Sequence, residues 1–251
     1  NVQRVDTASR RASLIGSGLA ERIRGFLPVE GARTALEGDA DRAWLAQSRT
    51  GDNETIISLA RIDTDGSTSV FALGPEPFGV LAGGALPLDL ASTNDTVWLV
   101  RGDEDTYVQA FDVDAAMWGP RHEIDVNGSF TTVETVARPD AVWIVTRYQV
   151  LRIDAVSGDT EAIQLYQAPA ENESATLAGD SLLIGTSGGR ILRVNTTTGQ
   201  LEAMFTLGDG TRIRHLAADR ETLWISTDNG LGHLPLETVL VDGAPASPGD
   251  G

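Results

Sequence analysis

Apolar residues in this chain fall in short runs separated by polar turns, with no helical spacing. The runs Ala43-Trp44-Leu45-Ala46, Val97-Trp98-Leu99-Val100, Val142-Trp143-Ile144-Val145, Leu182-Leu183-Ile184-Gly185 and Leu223-Trp224-Ile225-Ser226 match one another. Each follows a polar turn such as Ser92-Thr93-Asn94-Asp95 or Ala178-Gly179-Asp180. Runs this short and this apolar predict strands buried on both faces. An alternating strand comes next and ends in Asp or Asn: Ala60-Arg61-Ile62-Asp63, Ala110-Phe111-Asp112, Leu151-Arg152-Ile153-Asp154 and Leu192-Arg193-Val194-Asn195. In three of these four copies a glycine soon follows (Gly66, Gly158, Gly199) and completes a hairpin turn. A last strand closes each unit, at 70–73, 123–126, 162–165 and 203–207.

Each unit therefore reads strand A, turn, apolar strand B, loop, strand C, turn, strand D, with a period of roughly 40 residues. That period, carried by strands and turns, predicts an all-β fold: a β-propeller of four-stranded blades. Five full blades are expected, at about 32–74, 86–126, 129–166, 174–207 and 211–242, in one domain spanning 1–242. Residues 1–16 align as strands C and D of a partial blade, so the chain opens in mid-blade and reads as a processed product or an excised piece. Residues 17–31 match no unit and read as an insertion. Thr238-Val239-Leu240-Val241 is expected as the D strand of the fifth blade, and 243–251, rich in Gly, Ala and Pro, as a flexible tail. Six blade positions are preferred, with five as the alternative if strands from the two ends pair. The tryptophan found in four of the five B strands is expected to pack between neighbouring blades, not to stack on a cofactor.

The segment Leu223-Trp224-Ile225-Ser226-Thr227-Asp228-Asn229-Gly230-Leu231 resembles the signature of the two-component-regulator propeller repeat. Residues 151–165, with an Arg-Ile-Asp-x-x-x-Gly turn between two strands, are similar to the PQQ-like and YncE-like (YVTN-type) repeats. The resemblance covers nearly the whole chain. It implies the fold strongly and the activity weakly, because these families include extracellular sensors, scaffolds of protein assemblies and a minority of enzymes working around a central channel. Virginiamycin B lyase, a propeller lyase, has a similar look. Its histidine context is not matched here: His122, His215 and His233 stand singly in D, A and C strands and read as structural or surface residues.

Composition narrows the partners. The net charge is −17, from 36 acidic and 19 basic residues, and every basic residue is arginine. A chain of this sign is repelled by phosphate backbones and anionic bilayers, which excludes nucleic acid as a partner. No apolar run approaches the roughly 18 residues of a membrane span, so direct membrane insertion is not expected. The lysine-free composition reads as coding bias or as adaptation to high salt. Cysteine is absent, which excludes disulfides and thiolate chemistry. Five of the seven asparagines, Asn53, Asn94, Asn127, Asn172 and Asn195, lie in Asn-X-Ser/Thr. They are N-glycosylation candidates on an extracellular or cell-surface protein, or simply turn formers; both readings place all five in loops.

Ligands of such folds meet the B–C and D–A connections, which open on one face. The candidates there are Arg49, Asp52, Arg101, Asp103, Asp105, Arg147, Tyr148, Arg190, Asp228 and Asn229. The first two B–C loops are long and acidic, so the reading face is expected to be skewed toward 47–55 and 101–107. Arg101-Gly102-Asp103 is too short a triplet to signal adhesion. Asp103, Glu104 and Asp105 could ligate calcium, the only cofactor in view, although a solvated acidic loop is the plainer reading. Asp63-Thr64-Asp65-Gly66 sits where a C–D turn belongs. With no catalytic constellation, the preferred function is a non-catalytic binding, sensor or scaffold module for a protein, peptide or glycan. The alternatives are a lyase- or hydrolase-type propeller enzyme with a site at the central funnel, and a structural subunit of a surface assembly.

Overall fold

A strand buried on both faces must satisfy its whole backbone within the sheet and pack every side chain, and the apolar B strands do both. The computed structural model describes residues 2–6, 11–15, 33–38, 42–50, 55–63, 65, 67–72, 88–93, 95–101, 106–124, 132–163, 165, 170–207 and 210–240. Strands β1 (Val2–Asp6) and β2 (Arg11–Ile15) pair as a separate antiparallel hairpin. Blade I is β3 (Arg33–Gly38), β4 (Arg42–Thr50), β5 (Thr55–Asp63) and β6 (Thr68–Ala72). Blade II is β7 (Leu88–Ser92), β8 (Thr96–Arg101), β9 (Thr106–Asp112) and β10 (Met117–Ile124). Blade III is β11 (Thr132–Ala137), β12 (Ala141–Thr146), β13 (Val150–Asp154) and β14 (Thr160–Ile163). Blade IV is β15 (Asn172–Ala178), β16 (Ser181–Thr186), β17 (Arg190–Asn195) and β18 (Leu201–Thr206). Blade V has three strands, β19 (Ile213–Ala218), β20 (Thr222–Thr227) and β21 (Gly230–Pro235), followed by the helix α1 (Leu236–Leu240).

The fold is a five-bladed β-propeller, every blade an antiparallel meander. The preference for six positions is corrected: among the described residues β1 and β2 pair only with each other and complete no sixth blade. Two further corrections concern D strands. That of blade II begins at Met117, ahead of the expected 123–126, because the turn at 113–116 is tight. That of blade V is absent from the described residues: 236–240 form one helical turn in place of the expected strand. Leu236 and Val239, three residues apart and so on one helix face, are buried against Ile213, Leu223 and Ile225.

The chain divides into two compact units, residues 1–123 and 124–251. In the N-terminal unit Trp44 of blade I is fully buried against Leu90, Val97, Leu99 and Phe111 of blade II. Its ring lies 6.4 Å from that of Phe111, which in turn stacks on Phe71 at 4.9 Å and on Trp118 at 5.0 Å. In the C-terminal unit Trp143 packs in the same way on Ala175, Leu182 and Ile184 of blade IV. Alternation along β16 then serves two interfaces at once. Leu182 and Ile184 face blade III, while Leu183, which replaces the tryptophan, faces Ile213, Leu216, Leu223 and Ile225 of blade V.

The turn end of the blades is built from local bonds, with one cross-blade link in which Arg138 of blade III donates to the Gly179 carbonyl, Asp180 Oδ1 and Thr196 Oγ1 of blade IV. The backbone carbonyls of Asp95, Asp140 and Asp180 in the A–B turns accept from the amides of Val113, Ala155 and Thr196, which open the C–D turns. In blade V the equivalent Glu221 carbonyl accepts from the Leu236 amide, so the helix enters where a C–D turn would stand. Gly158 and Gly199 hold positive φ (75° and 66°), and Ala116 takes the same left-handed position, φ 51°, in the copy that lacks a glycine. Buried Arg193 directs its guanidinium to the carbonyls of Val239 and Leu240, closing the C-terminus of α1.

Candidate binding face of the C-terminal unit

The opposite end carries the B–C and D–A connections. A threonine ends each B strand there and its hydroxyl folds the loop: Thr146 Oγ1 accepts from the Gln149 amide (3.0 Å), Thr186 Oγ1 from Arg190 (3.1 Å) and Thr227 Oγ1 from Asn229 (3.2 Å). The A strands entering from this end each slip register by one residue. The slips fall between Thr132 and Glu134, Asn172 and Ser174, and Ile213 and His215. A bulge leaves one residue unpaired and re-aims its side chain. Two of the bulged residues, Glu173 and Arg214, enter the contacts that follow.

Those contacts run from blade to blade. The Asn172 amide donates to the Arg147 carbonyl (2.8 Å), and its side-chain Nδ2 to the Thr146 carbonyl (2.9 Å), tying blade IV to blade III. The Tyr148 hydroxyl donates to Glu171 Oε1 at 2.7 Å, and Arg147 Nε lies 3.6 Å from the other oxygen of that carboxylate. Glu173 pairs with Arg212, bridging blades IV and V, and the Leu216 amide donates to Ser174 Oγ at 2.9 Å beneath it. Arg214 Nε donates to Asp228 Oδ1 at 2.6 Å, and Asn229 Nδ2 to Thr211 Oγ1 at 3.0 Å. The result is a belt of three arginines and three carboxylates across three blades.

Electrostatics follow the contacts. The bond to Glu171 holds the Tyr148 hydroxyl above its ordinary value of 10.0, because ionisation would set two anions together. The bond to Glu173, helped by the charges of Asp228 and Glu171, raises Arg212 further above its ordinary range. At the turn end the shifts have another origin. Backbone amides of Ser157 and Val156 hold Asp154 low, and the Glu221 amide, the Trp224 indole and the Thr222 amide do the same for Asp219.

Of the candidate face residues, Arg147, Tyr148, Asp228 and Asn229 come together in this belt. Arg190 opens β17 with its guanidinium on Met204 Sδ (3.8 Å). Arg49 and Arg101 lie in strands β4 and β8, not in the loops expected to start there. Asp52, Asp103, Glu104 and Asp105, with the calcium candidate they include, lie outside the described residues, as do Asn53, Asn94 and Asn127. Among the described residues no group of three or more acidic or histidine side chains could hold a metal ion. No helix among them is long and apolar enough to cross a membrane. Asn172 corrects the expectation that all sequons lie in loops: it is 3% exposed in β15 with its amide engaged, so the folded chain offers nothing to glycosylate there. Asn195 ends β17; its Oδ1 accepts from Thr197 and Thr198, and its Nδ2 donates to Glu202. Glu171, Glu173, Arg212 and Arg214 were not among the sequence candidates. They lie in the D–A connections and bulges, which carry no marker comparable to the Thr-ended B strands.

No family model matches the chain, and no curated protein matches it. Among solved structures it is similar to the computationally designed Ika8 protein, with a TM-score of 0.51 and 14% identity over 80% of this chain and 70% of that one. It is also similar to BamB from Moraxella catarrhalis, with a TM-score of 0.54 and 15% identity; 82% of this chain matches 58% of that one. The extracellular domain of a hybrid two-component system from B. thetaiotaomicron matches at a TM-score of 0.48 and 16% identity, over 83% of this chain and 32% of that one, and at that score adds no argument. These likenesses show the fold. With 1143 solved chains matching, the fold by itself selects no function.

Proposed function

We propose that the chain is a non-catalytic binding or scaffold module whose loop-end face on the C-terminal unit meets its partner. The observation that carries this reading is the belt itself. Two of its three ion pairs, Arg147–Glu171 and Glu173–Arg212, hold half-buried or exposed charged groups across blade boundaries, where a surface serving only solubility needs no such order. The Tyr148 phenol stays protonated at neutral pH and its neighbouring carboxylate is already bonded, which suits recognition better than proton transfer. An extracytoplasmic setting is part of the proposal, supported by the acidic, lysine-free composition and by the sequons other than Asn172.

The test compares the wild-type chain with a triple variant, Arg147→Ala, Tyr148→Ala and Arg212→Ala, on arrays of peptides and glycans. Binding by the wild type that the triple variant loses, with folding intact by circular dichroism, is the expected result. Equal binding by both chains would overturn the assignment of this face.

A further inference from the structure

The chemistry of the belt restricts what it can hold, given the binding-face reading above on which this inference rests. Arg147, Arg212 and Arg214 are each engaged by a carboxylate, and Glu171, Glu173 and Asp228 are each engaged by a cation. An anionic ligand that reaches the remaining N–H groups of an arginine is set beside that arginine's carboxylate partner, which cancels much of the attraction; a cationic ligand meets the mirror problem with the arginines. A hydroxyl group escapes both, because it donates to a carboxylate and accepts from a guanidinium at the same time. Polyhydroxylated chains therefore add to such pairs without breaking them.

Tyr148 supplies the other half of the argument. Its side chain is 76% exposed, yet its hydroxyl is fixed on Glu171, so the ring is presented to solvent in a set orientation. A ring already ordered loses little rotamer freedom on contact, and an amphipathic ring suits a surface that is apolar on one face and hydroxylated at its edge. The three ion pairs run from the junction of blades III and IV, across that of blades IV and V, to blade V. That spread suits an extended ligand more than a small one. We propose that this face binds a neutral glycan, with Tyr148 as the stacking platform and the paired charges as hydrogen-bonding partners of its hydroxyl groups.

The experiment uses the whole chain on a printed array holding neutral, carboxylated and sulfated oligosaccharides beside a peptide array. Tyr148→Ala, Tyr148→Phe and Arg212→Ala are run in parallel. The expected result is binding to neutral glycans that changes less than about twofold between about 0.05 and 0.5 M NaCl. Tyr148→Ala should weaken it by at least about tenfold, while Tyr148→Phe, which keeps the ring but loses the bond that orders it, should weaken it by only about two- to fivefold. Binding only to sulfated or carboxylated glycans, or only to peptides, with loss in Arg212→Ala would overturn the neutral-glycan class and leave the face standing. Binding to neither array, or binding untouched by all three variants, would overturn the glycan proposal and the face together.

Discussion

The two ends of the blades in the C-terminal unit differ in how much of their charge is held by local backbone bonds. At the turn end Asp154, Asn195 and Asp219 bond to backbone amides two or three residues ahead, and the lowered values of Asp154 and Asp219 come first from those amides. At the loop end Glu171, Glu173 and Arg212 reach into a neighbouring blade or its connections, and the shift of Arg212 comes from another side chain. At the turn end these carboxylates serve hairpins, although Arg138 there also crosses from blade III to the Gly179 carbonyl, Asp180 Oδ1 and Thr196 Oγ1 of blade IV. At the loop end the Arg147–Glu171 and Glu173–Arg212 pairs join blades, Arg214–Asp228 lies within blade V, and forming a hairpin requires none of them. Some of the high acidity of the chain thus belongs to turn chemistry, and the belt itself carries as many arginines as carboxylates.

Six substitutions probe that contrast against the core that both ends share. The largest effect belongs to the core: Trp143→Ala, at a site of zero exposure, should cost about 3–5 kcal/mol in denaturant unfolding. Trp224→Ala at the matching position of blade V, where the ring is only half-buried, should cost clearly less. Next comes a loop-end contact that is structural. Asn172→Ala strands the Thr146 carbonyl in a buried setting and should cost about 1–3 kcal/mol by the same measurement. If it costs nothing, the blade III–IV seam is not held there.

At the turn end, Ala116→Gly in the N-terminal unit should raise stability by about 1 kcal/mol, because it relieves a left-handed alanine. An unchanged or lower midpoint would mean that the turn is not strained. Stability should also depend on Asp154 and Asp219 in acid. Their folded values lie below the ordinary 3.8, so the stability they contribute is full above that pH and is lost as pH falls through the lower folded values. Asp219→Asn should flatten that part of the pH profile of the unfolding midpoint, whereas a profile identical to wild type would remove the turn-end account. The smallest effect is expected from Arg214→Ala, whose exposed ion pair with Asp228 should leave the unfolding midpoint within error of wild type.

Much of the architecture was legible because it repeats. The Trp-bearing B strands and the Asp-led C–D turns announce themselves at each blade, and the packing of Trp44 and Trp143 between blades followed from their position. What escaped has physical reasons. The β-branched and apolar run at 238–241 promises a strand by local preference, but burial of Leu236 and Val239 on one side of a helical turn, closed by Arg193, outweighs that preference. The sequon at Asn172 looks like any other in sequence; only the fold turns its amide inward onto Thr146. The bulges that bring Glu173 and Arg214 into the belt depend on pairing with the next strand, which no local pattern encodes. Four candidates, Arg147, Tyr148, Asp228 and Asn229, were found because they sit in the B–C loops, and their D–A partners were not.

The division of labour between the two ends is tested most directly by one paired measurement. Tyr148→Ala and Asp219→Ala are each assayed for unfolding midpoint and for array binding. The account predicts that Tyr148→Ala loses binding and keeps the wild-type midpoint, while Asp219→Ala lowers the midpoint and keeps binding. Retained binding in Tyr148→Ala, or a loss of binding in Asp219→Ala while the chain is still folded, would contradict it.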